Sequence, residues 1–183
     1  MVVVAGLDPA GSEKRPSGLA VIHGNSLIYI SRLYSDREII GVVREYMPTV
    51  IAIDSPLSHT IHGYREVDRV MKRLGYRVLP PSWPSMRMLV TRSLRLVDAF
   101  LSMGISVIET HPLSALKSSG CRDWVELAKK LLHGFTIDRR LSRDEIDALV
   151  AALVAKTYVD GVAKAVSARD GVIYLLPKVC AYE

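Results

Sequence analysis

The chain contains no glutamine and a single asparagine, Asn25. Depletion of these thermolabile amides is typical of proteins from hot environments, so the composition indicates a thermophilic source. Cysteine is also scarce, with two residues in 183. Cys121 and Cys180 stand alone and lack the paired spacing of a zinc knuckle or a redox motif. We therefore predict buried free thiols and no metal site built from cysteine.

Long apolar runs are absent as well, and no stretch is long enough to cross a bilayer. The first residues carry neither a basic leader nor a small-residue cleavage site. We therefore expect a cytoplasmic protein that does not bind membranes. With 49% apolar and 23% charged residues, the chain can bury a core without a covalent cross-link, and we expect one domain over residues 1–183.

The chain is basic, with a formal net charge of +5 and an isoelectric point near 9.3, which favours anionic partners. Between His62 and Arg95, basic side chains are interleaved with aromatic ones. Such a mixture grips phosphates and stacks bases in nucleic-acid-binding proteins. The candidates for these contacts are Arg65, Arg69, Trp83 and Arg87. The alternatives are a solvated helix face whose side chains snorkel, a local ion pair between Arg65 or Arg69 and Asp68, and a hydrophobic lid at Trp83.

Hydrophobic periodicity predicts an α/β chain whose first three strands form an antiparallel meander. Strands are expected at Val2–Leu7, Gly18–His23, Ser26–Tyr34, Thr49–Ile53 and Ile105–Ile108, with a late edge strand at Val172–Leu176. Helices are expected at Asp36–Tyr46, Tyr64–Leu74, from the PPSWP loop to Met103, around Leu113–Lys117 and at Arg122–His133. A last long helix starts after Ser142, where SRDE has the form of a capping box.

Three of the predicted strands finish on an acidic residue, in AGLDP, AIDSP and VIETHP. If these strands are parallel, Asp8, Asp54 and Glu109 meet at one edge of the sheet, where open α/β sheets place their sites. Neighbouring strands lie about 4.8 Å apart, so the carboxylates would repel one another and raise at least one pKa. A divalent cation removes that cost. Each acid alone also fits an ordinary turn or cap, but the coincidence of three favours a site.

The helix after Ser142 adds two further acids. At about 100° per residue, Asp144 and Asp147 share one stripe with Ala148 and Ala151. The small alanines let the helix approach the sheet closely and bring both carboxylates toward the strand ends. The helix dipole also favours Asp144 in the first turn, whereas Asp147 has no such structural explanation.

The segments GLDPAGS and SGLAV, the acid of AIDSP and the late DEIDAL resemble the ribonuclease H-like superfamily, particularly its RuvC branch. The fuller pattern is similar to an uncharacterised family of predicted nucleases of the ribonuclease H fold. It includes IDSPLS, the R-x-x-D-R of Arg65 to Arg69, PPS and IETHP. The resemblance, from Val2 to about Tyr158, implies a five-stranded mixed sheet of order 3-2-1-4-5 flanked by helices, with a helical insertion between strands 4 and 5.

The resemblance also implies a site for two Mg²⁺ or Mn²⁺ ions, held by Asp8, Asp54, Asp144 and Asp147. Asp8 would bridge both ions, Asp54 would complete one site, and the two helix acids would complete the other. The chain departs from the RuvC pattern, which usually has Glu where Asp54 stands and no acid at the place of Glu109. Glu109 is then either a replacement ligand or a residue behind the ligands.

Our leading hypothesis is a nuclease that hydrolyses phosphodiester bonds of DNA or RNA by two metal ions. Lys14 and Arg15 would approach the scissile phosphate, unless they are only mobile surface cations. His111 would move a proton, although a structural role in the turn before Pro112 fits equally well.

Three other functions stay open. The first is a catalytically silent nucleic-acid-binding domain of the same fold, and the second is a hydrolase of nucleotides or other small phosphate esters. The third is a phosphotransferase, because AGLDPAGS is similar to the phosphate-binding hairpin of actin-like kinases. Those kinases close two such domains over the nucleotide, so this function requires a homodimer, which would also pair two nuclease sites on a symmetric substrate.

Overall fold

A computed structural model gives the fold and describes residues 1–180. The strands in this range are β1 (Val3–Asp8), β2 (Ser17–His23), β3 (Ser26–Leu33), β4 (Val50–Asp54), β5 (Ser106–Thr110), β6 (Lys164–Ala168) and β7 (Gly171–Leu175). The helices are α1 (Asp36–Tyr46), α2 (Glu66–Arg73), α3 (Pro84–Ser102), α4 (Pro112–Ser119), α5 (Trp124–Leu131) and α6 (Arg143–Val159). None of the helices in this range is long and apolar enough to cross a membrane.

These strands form one mixed sheet in the order β3-β2-β1-β4-β5-β7-β6. The first three are antiparallel neighbours, whereas β1, β4, β5 and β7 run parallel. The predicted order 3-2-1-4-5 is present, and α2 and α3 form the helical insertion between the fourth and fifth strands. The predicted number of five strands is wrong, because the sheet has seven and continues beyond β5.

The two additional strands are a hairpin that turns at Arg169 and Asp170. Val172–Leu176, predicted as an edge strand, corresponds to β7, which pairs with β5 on one side and β6 on the other. The edge is therefore β6, a strand that hydrophobic patterning does not reveal because Val166 is its one buried residue. The carboxylate of Asp170 accepts hydrogen bonds from the first backbone amides of α2 and fixes that helix to the hairpin.

Helices cover both faces of the sheet. Leu7 and Ile53 belong to the apolar cluster under α1 and α3, while Val4 and Ala52 belong to the cluster under α6. Because side chains of a strand alternate between faces, the even-numbered residues of β1 and β4 are directed to the α6 side. Asp8 and Asp54, the last residues of these two strands, follow that alternation.

Helix α6 lies close against the sheet, because two glycines leave room for its backbone. A Cβ at Gly6 would overlap the backbone of Ala152, and a Cβ at Gly18 would overlap the backbone of Asp144. The helix begins with the predicted capping box, in which Ser142 and Glu145 each accept a hydrogen bond from the other's amide. The start of α6 therefore lies directly over the first residues of β2.

Cys121 and Cys180 form a disulfide, so the prediction of free thiols is wrong. The chain after β7 returns past the end of α4, where the amides of Val179 and Cys180 donate to the carbonyl of Ser119. The two cysteine Cα atoms are consequently 5.0 Å apart, a distance that a disulfide can span. Because 59 residues separate them in sequence, the fold alone reveals the pairing.

Candidate active site

Two acids meet where the central parallel strands end. Leu7 of β1 is in register with Ile53 of β4, so Asp8 and Asp54 leave adjacent strands at the same level. Both side chains line a cavity at this carboxyl edge of the sheet. The two strand-end acids therefore lie close together in the structure, as their positions in the sequence led us to expect.

Helix α6, which packs on the sheet, supplies the acids Asp144 and Asp147. Asp8 is paired across the sheet with Gly18, and the backbone of Asp144 rests on Gly18. Asp144 and Asp8 line one crevice together. Asp147 follows one helical turn later on the same stripe. We name Asp8, Asp54, Asp144 and Asp147 the acid cluster.

Burial and mutual repulsion raise the pKa of three carboxyls in the acid cluster. For Asp8, burial is the largest cause, followed by the charges of Asp147 and Asp144, and the pKa rises to about 8. The pKa of Asp54 lies well above its usual range because of burial and then the charges of Asp8 and Asp147. Burial also raises the pKa of Asp147, and Arg143 offsets part of that rise. The acids therefore share one electrostatic environment, in which the charge of Arg143 only partly offsets the rise in pKa.

The cations next to the acid cluster are too loosely placed to neutralise it. Nε of Arg32 lies 3.4 Å from Oδ2 of Asp144, and Nε of Arg143 lies 3.5 Å from Oδ2 of Asp147. The arginine side chains are 44% and 83% exposed, so water screens both pairs. The remaining negative charge favours the binding of further cations.

The donors of the acid cluster are all carboxylate oxygens. Within residues 1–180, the acids do not include three donor atoms that all lie within 4.8 Å of one another. A group that meets this criterion is formed by Cys121, Glu126 and Cys180, but its sulfur atoms are already joined in the disulfide. Carboxylate oxygens, the donors of the acid cluster, are the ligands that suit Mg²⁺ or Mn²⁺.

Glu109 also ends a central strand, but it faces the other side of the sheet. It is in register with Ile53, which packs under α3. Its carboxylate accepts hydrogen bonds from both terminal nitrogens of Arg65 and from the amide of Leu57. Burial raises the pKa of Glu109, and Arg65 counteracts that rise. The sequence left two roles open for Glu109, a replacement metal ligand or a residue behind the ligands. The geometry favours the second role, in which Glu109 fixes the loop after β4.

Arg65 is consequently unsuitable as a phosphate contact. The side chain is buried, and its guanidinium is shared between Glu109 and Asp68, with Nη2 to Oδ1 of Asp68 at 2.8 Å. Releasing it toward a ligand would leave two buried carboxylates without their partner, at a cost of several kcal/mol. We therefore remove Arg65 from the nucleic-acid-binding residues expected from the sequence. The local pairing with Asp68 was the alternative, and it is present.

His111 caps the first turn of α4. Its Nδ1 accepts a hydrogen bond from the amide of Ser114 and lies 2.7 Å from the hydroxyl of the same serine. Burial lowers the pKa of His111, so the ring is neutral at pH 7. With Nδ1 as an acceptor, the ring proton resides on Nε2. His111 thus has the structural role expected before Pro112, and it also lines the cavity that contains Asp8 and Asp54.

The other basic and aromatic candidates lie at the surface. Lys14 and Arg15 are exposed in the loop between β1 and β2, and Arg69, Trp83 and Arg87 are exposed on or near α2 and α3. Each is accessible to a macromolecular ligand.

Sequence reasoning misses Arg32, because a lone arginine on a strand belongs to no motif. In the sheet, Asp8, Gly18 and Arg32 stand in one row across three strands. Gly18 has no side chain, and the backbone of Asp144 occupies the space above it between Asp8 and Arg32. Arg32 and Arg15 line the same crevice as Asp8 and Asp144, so this crevice joins the acid cluster to two cations.

Comparison with solved structures identifies the fold. RuvC of Thermus thermophilus in complex with a Holliday junction substrate superposes with a TM-score of 0.59 over 88% of this chain and 96% of RuvC, at 16% identity. A second Thermus thermophilus RuvC structure gives a TM-score of 0.57 over 87% of this chain and 96% of RuvC, also at 16% identity. The chain has the ribonuclease H-like fold of RuvC. No protein-family model and no curated protein sequence matches the chain, so the likeness to RuvC is one of fold.

Proposed function

We propose that the protein is a metal-dependent nuclease that hydrolyses phosphodiester bonds. The observation that carries this proposal is the acid cluster, whose carboxyls come from two adjacent strand ends and one helix and raise each other's pKa. The RuvC-like fold and the likeness to a RuvC bound to a DNA junction support it. The nucleic acid is DNA or RNA.

The acid cluster would hold two Mg²⁺ or Mn²⁺ ions, with Asp8 between them, Asp54 on one side and the two helix acids on the other. Bound there, the ions would activate the attacking water and stabilise the leaving oxygen. The role of the chain is to fix these ligands through the close contact of α6 with Gly6 and Gly18.

Cationic side chains would position the phosphate. Arg15 and Arg32 border the crevice that contains Asp8, and Lys14 extends from the same loop as Arg15. Charge-assisted hydrogen bonds from such side chains orient phosphates. His111 carries its proton on Nε2 and is neutral at pH 7, so it would donate a proton or a hydrogen bond and would not act as a permanent cation.

The repulsion within the acid cluster favours a nuclease over a silent binding domain. Four carboxylates at the site would repel a phosphate backbone and weaken binding. A domain that only binds nucleic acid gains nothing from them, whereas a metal-dependent enzyme requires them.

A cleavage assay tests the proposal. The protein is incubated with Mn²⁺ and labelled single-stranded, duplex, hybrid and branched substrates, beside Asp8→Asn and Asp147→Asn. Asp98→Asn is the matched control, because Asp98 is exposed on α3 outside the acid cluster. We expect the wild type and the control to cleave at least one substrate and the two cluster variants to be inactive. Equal activity of all four proteins, or none in the wild type, would refute the proposal.

A further inference from the structure

A cavity of about 170 Å³ has Asp8 and Asp54 of the acid cluster in its lining, and its remaining lining residues are not ligands in the proposed metal site. One wall is apolar and comes from the loop before α3, from successive turns of α3 and from β7. The apolar residues that line it are Val78, Leu79, Met86, Leu89 and Ile173. Asp8 and Asp54 also line the cavity, so whatever occupies it lies next to the proposed metal ions.

Apart from Asp8 and Asp54, the buried charged groups in the cavity wall are already paired. Arg65 is held by Asp68 and Glu109, and Glu109 also accepts from the amide of Leu57. The hydroxyl of Thr110 donates to the carbonyl of Tyr174. This part of the lining therefore offers a fixed surface and no spare buried charge, so a charged ligand would find no counter-ion here.

The size of the cavity matches one aromatic ring. An apolar cavity of about 150 Å³ accommodates benzene, and a pyrimidine is a ring of the same size with small polar substituents. A base together with its sugar would not fit. The apolar wall suits the face of the ring, and Nε2 of neutral His111 has no partner among residues 1–180 and can donate to the edge of the ring.

Exposed apolar side chains occur in the same segment as the cavity wall. Leu79, which lines the cavity, is 55% exposed, and Trp83, three residues before the lining residue Met86, is 51% exposed. Exposed aromatic side chains in single-stranded nucleic-acid-binding proteins stack on bases. Arg87, one turn into α3, supplies positive charge on the same segment.

We propose that this cavity receives one unstacked pyrimidine base of the strand whose phosphate lies at the acid cluster. The proposal rests on the proposed nuclease function and specifies its substrate: strands with unpaired nucleotides near the cleaved bond. Removing a base from a duplex costs a few kcal/mol, and removing an unpaired base costs less. The cavity would therefore make the enzyme selective for single-stranded, mismatched or branched regions.

Two variants of α3 form a matched pair for the test. Met86→Trp fills the cavity with a bulky aromatic side chain. Met88→Trp makes the same change at an exposed position of the same helix that does not line the cavity. Leu79→Ala removes part of the wall at a half-exposed loop position and guards against misfolding of Met86→Trp. The Mn²⁺-induced rise in melting temperature shows whether each variant keeps the metal site.

The first readout is a cleavage ladder on end-labelled oligothymidine that contains one abasic residue. We expect cleavage to be lost at one phosphate at a fixed offset from the abasic residue and to persist elsewhere. Met88→Trp should keep this gap, and Met86→Trp should lose it while cleaving weakly throughout. A ladder without a gap in the wild type would overturn the base pocket and leave the nuclease function intact.

The second readout is binding in Ca²⁺, which does not depend on cleavage. Oligothymidine should bind the wild type about 10-fold more tightly than a wholly abasic oligomer, and Met86→Trp and Leu79→Ala should reduce that ratio. Equal affinities for both oligomers would refute the pocket even if the protein cleaves nothing. Tighter binding of free thymidine monophosphate than of the oligomer would overturn the assignment to a strand and make a free nucleotide the occupant.

Discussion

Replacing Asp8 by Asn should stabilise the protein in the absence of metal. Asn has nearly the same shape as Asp but carries no charge, so the variant removes one member of a group of mutually repelling carboxylates. The pKa of Asp8 is about 8 in the folded chain, against an ordinary value of 3.8. A structural acid would show the opposite behaviour, because its loss would remove a favourable contact.

The magnitude follows from the pKa of Asp8. A carboxyl whose pKa rises on folding binds more protons in the folded chain than in the unfolded one, so its contribution to stability falls as the pH rises from about 4 to about 8. Each pH unit in that window costs about 1.4 kcal/mol, which gives an upper bound of about 4 kcal/mol at pH 7. Solvent screens part of this cost, and protonation of a neighbouring acid relieves part of the repulsion, so we expect a gain of roughly 2 kcal/mol for Asp8→Asn.

Urea unfolding in EDTA at pH 5 and pH 8 measures the effect. The stability difference between Asp8→Asn and the wild type should grow with pH, while contributions of histidines and other shared groups cancel in that difference. Asp98→Asn should show no such growth. A variant less stable than the wild type at pH 8, or a difference independent of pH, would refute the electrostatic reasoning.

Three further predictions concern the framework of the site. Gly18→Ala should lower the free energy of unfolding, measured in urea, by about 3 kcal/mol because the new Cβ overlaps the backbone of α6. The control Gly41→Ala in α1, where a Cβ meets nothing within 4 Å, should raise it by about 0.5–1 kcal/mol. Equal effects of the two substitutions would contradict the close contact between α6 and the sheet. Glu109→Ala should lower the free energy of unfolding by about 3 kcal/mol because it leaves Arg65 without one of its buried partners. Glu45→Ala, at an exposed position, should change it by less than about 0.5 kcal/mol. Similar values for the two variants would mean that the Arg65–Glu109 pair does not stabilise the fold. Reduction of the Cys121–Cys180 disulfide, which closes a 59-residue loop, should cost up to about 4 kcal/mol, and an unchanged urea midpoint in dithiothreitol would contradict a disulfide in the folded protein.

The part of the fold that the sequence predicts is the part with strong apolar strands and clear caps. The strand ending in Asp8, the strand ending in Asp54 and the capping box at Ser142 each combine a hydrophobic pattern with a distinctive terminus. Strand β7 corresponds to the strand predicted at Val172–Leu176, whereas β6 lacks a hydrophobic pattern because it buries a single side chain. The position of the hairpin of β6 and β7 beside β5 is fixed by packing that local patterning does not encode.

The site was predictable to the extent that topology determines it. Parallel neighbours bring the ends of β1 and β4 together, so Asp8 and Asp54 could be paired from sequence. The face of the sheet on which a side chain lies depends on its register, however, and Glu109 is in register with Ile53. That one-residue difference from Asp54 places it on the other side of the sheet with Arg65.

Contacts between distant segments were beyond local patterns. Arg32 reaches Asp144 only because Gly18 stands between Asp8 and Arg32 in the sheet. The disulfide depends on the return of the chain along α4.

The most direct test of the central claim is calorimetric titration of the protein with Mn²⁺. If the acid cluster is a two-ion site, the wild type and Asp98→Asn bind close to two ions per chain, and Asp8→Asn loses that binding while remaining folded. Wild-type protein that binds no Mn²⁺, or an Asp8→Asn variant that binds it as the wild type does, would contradict the account.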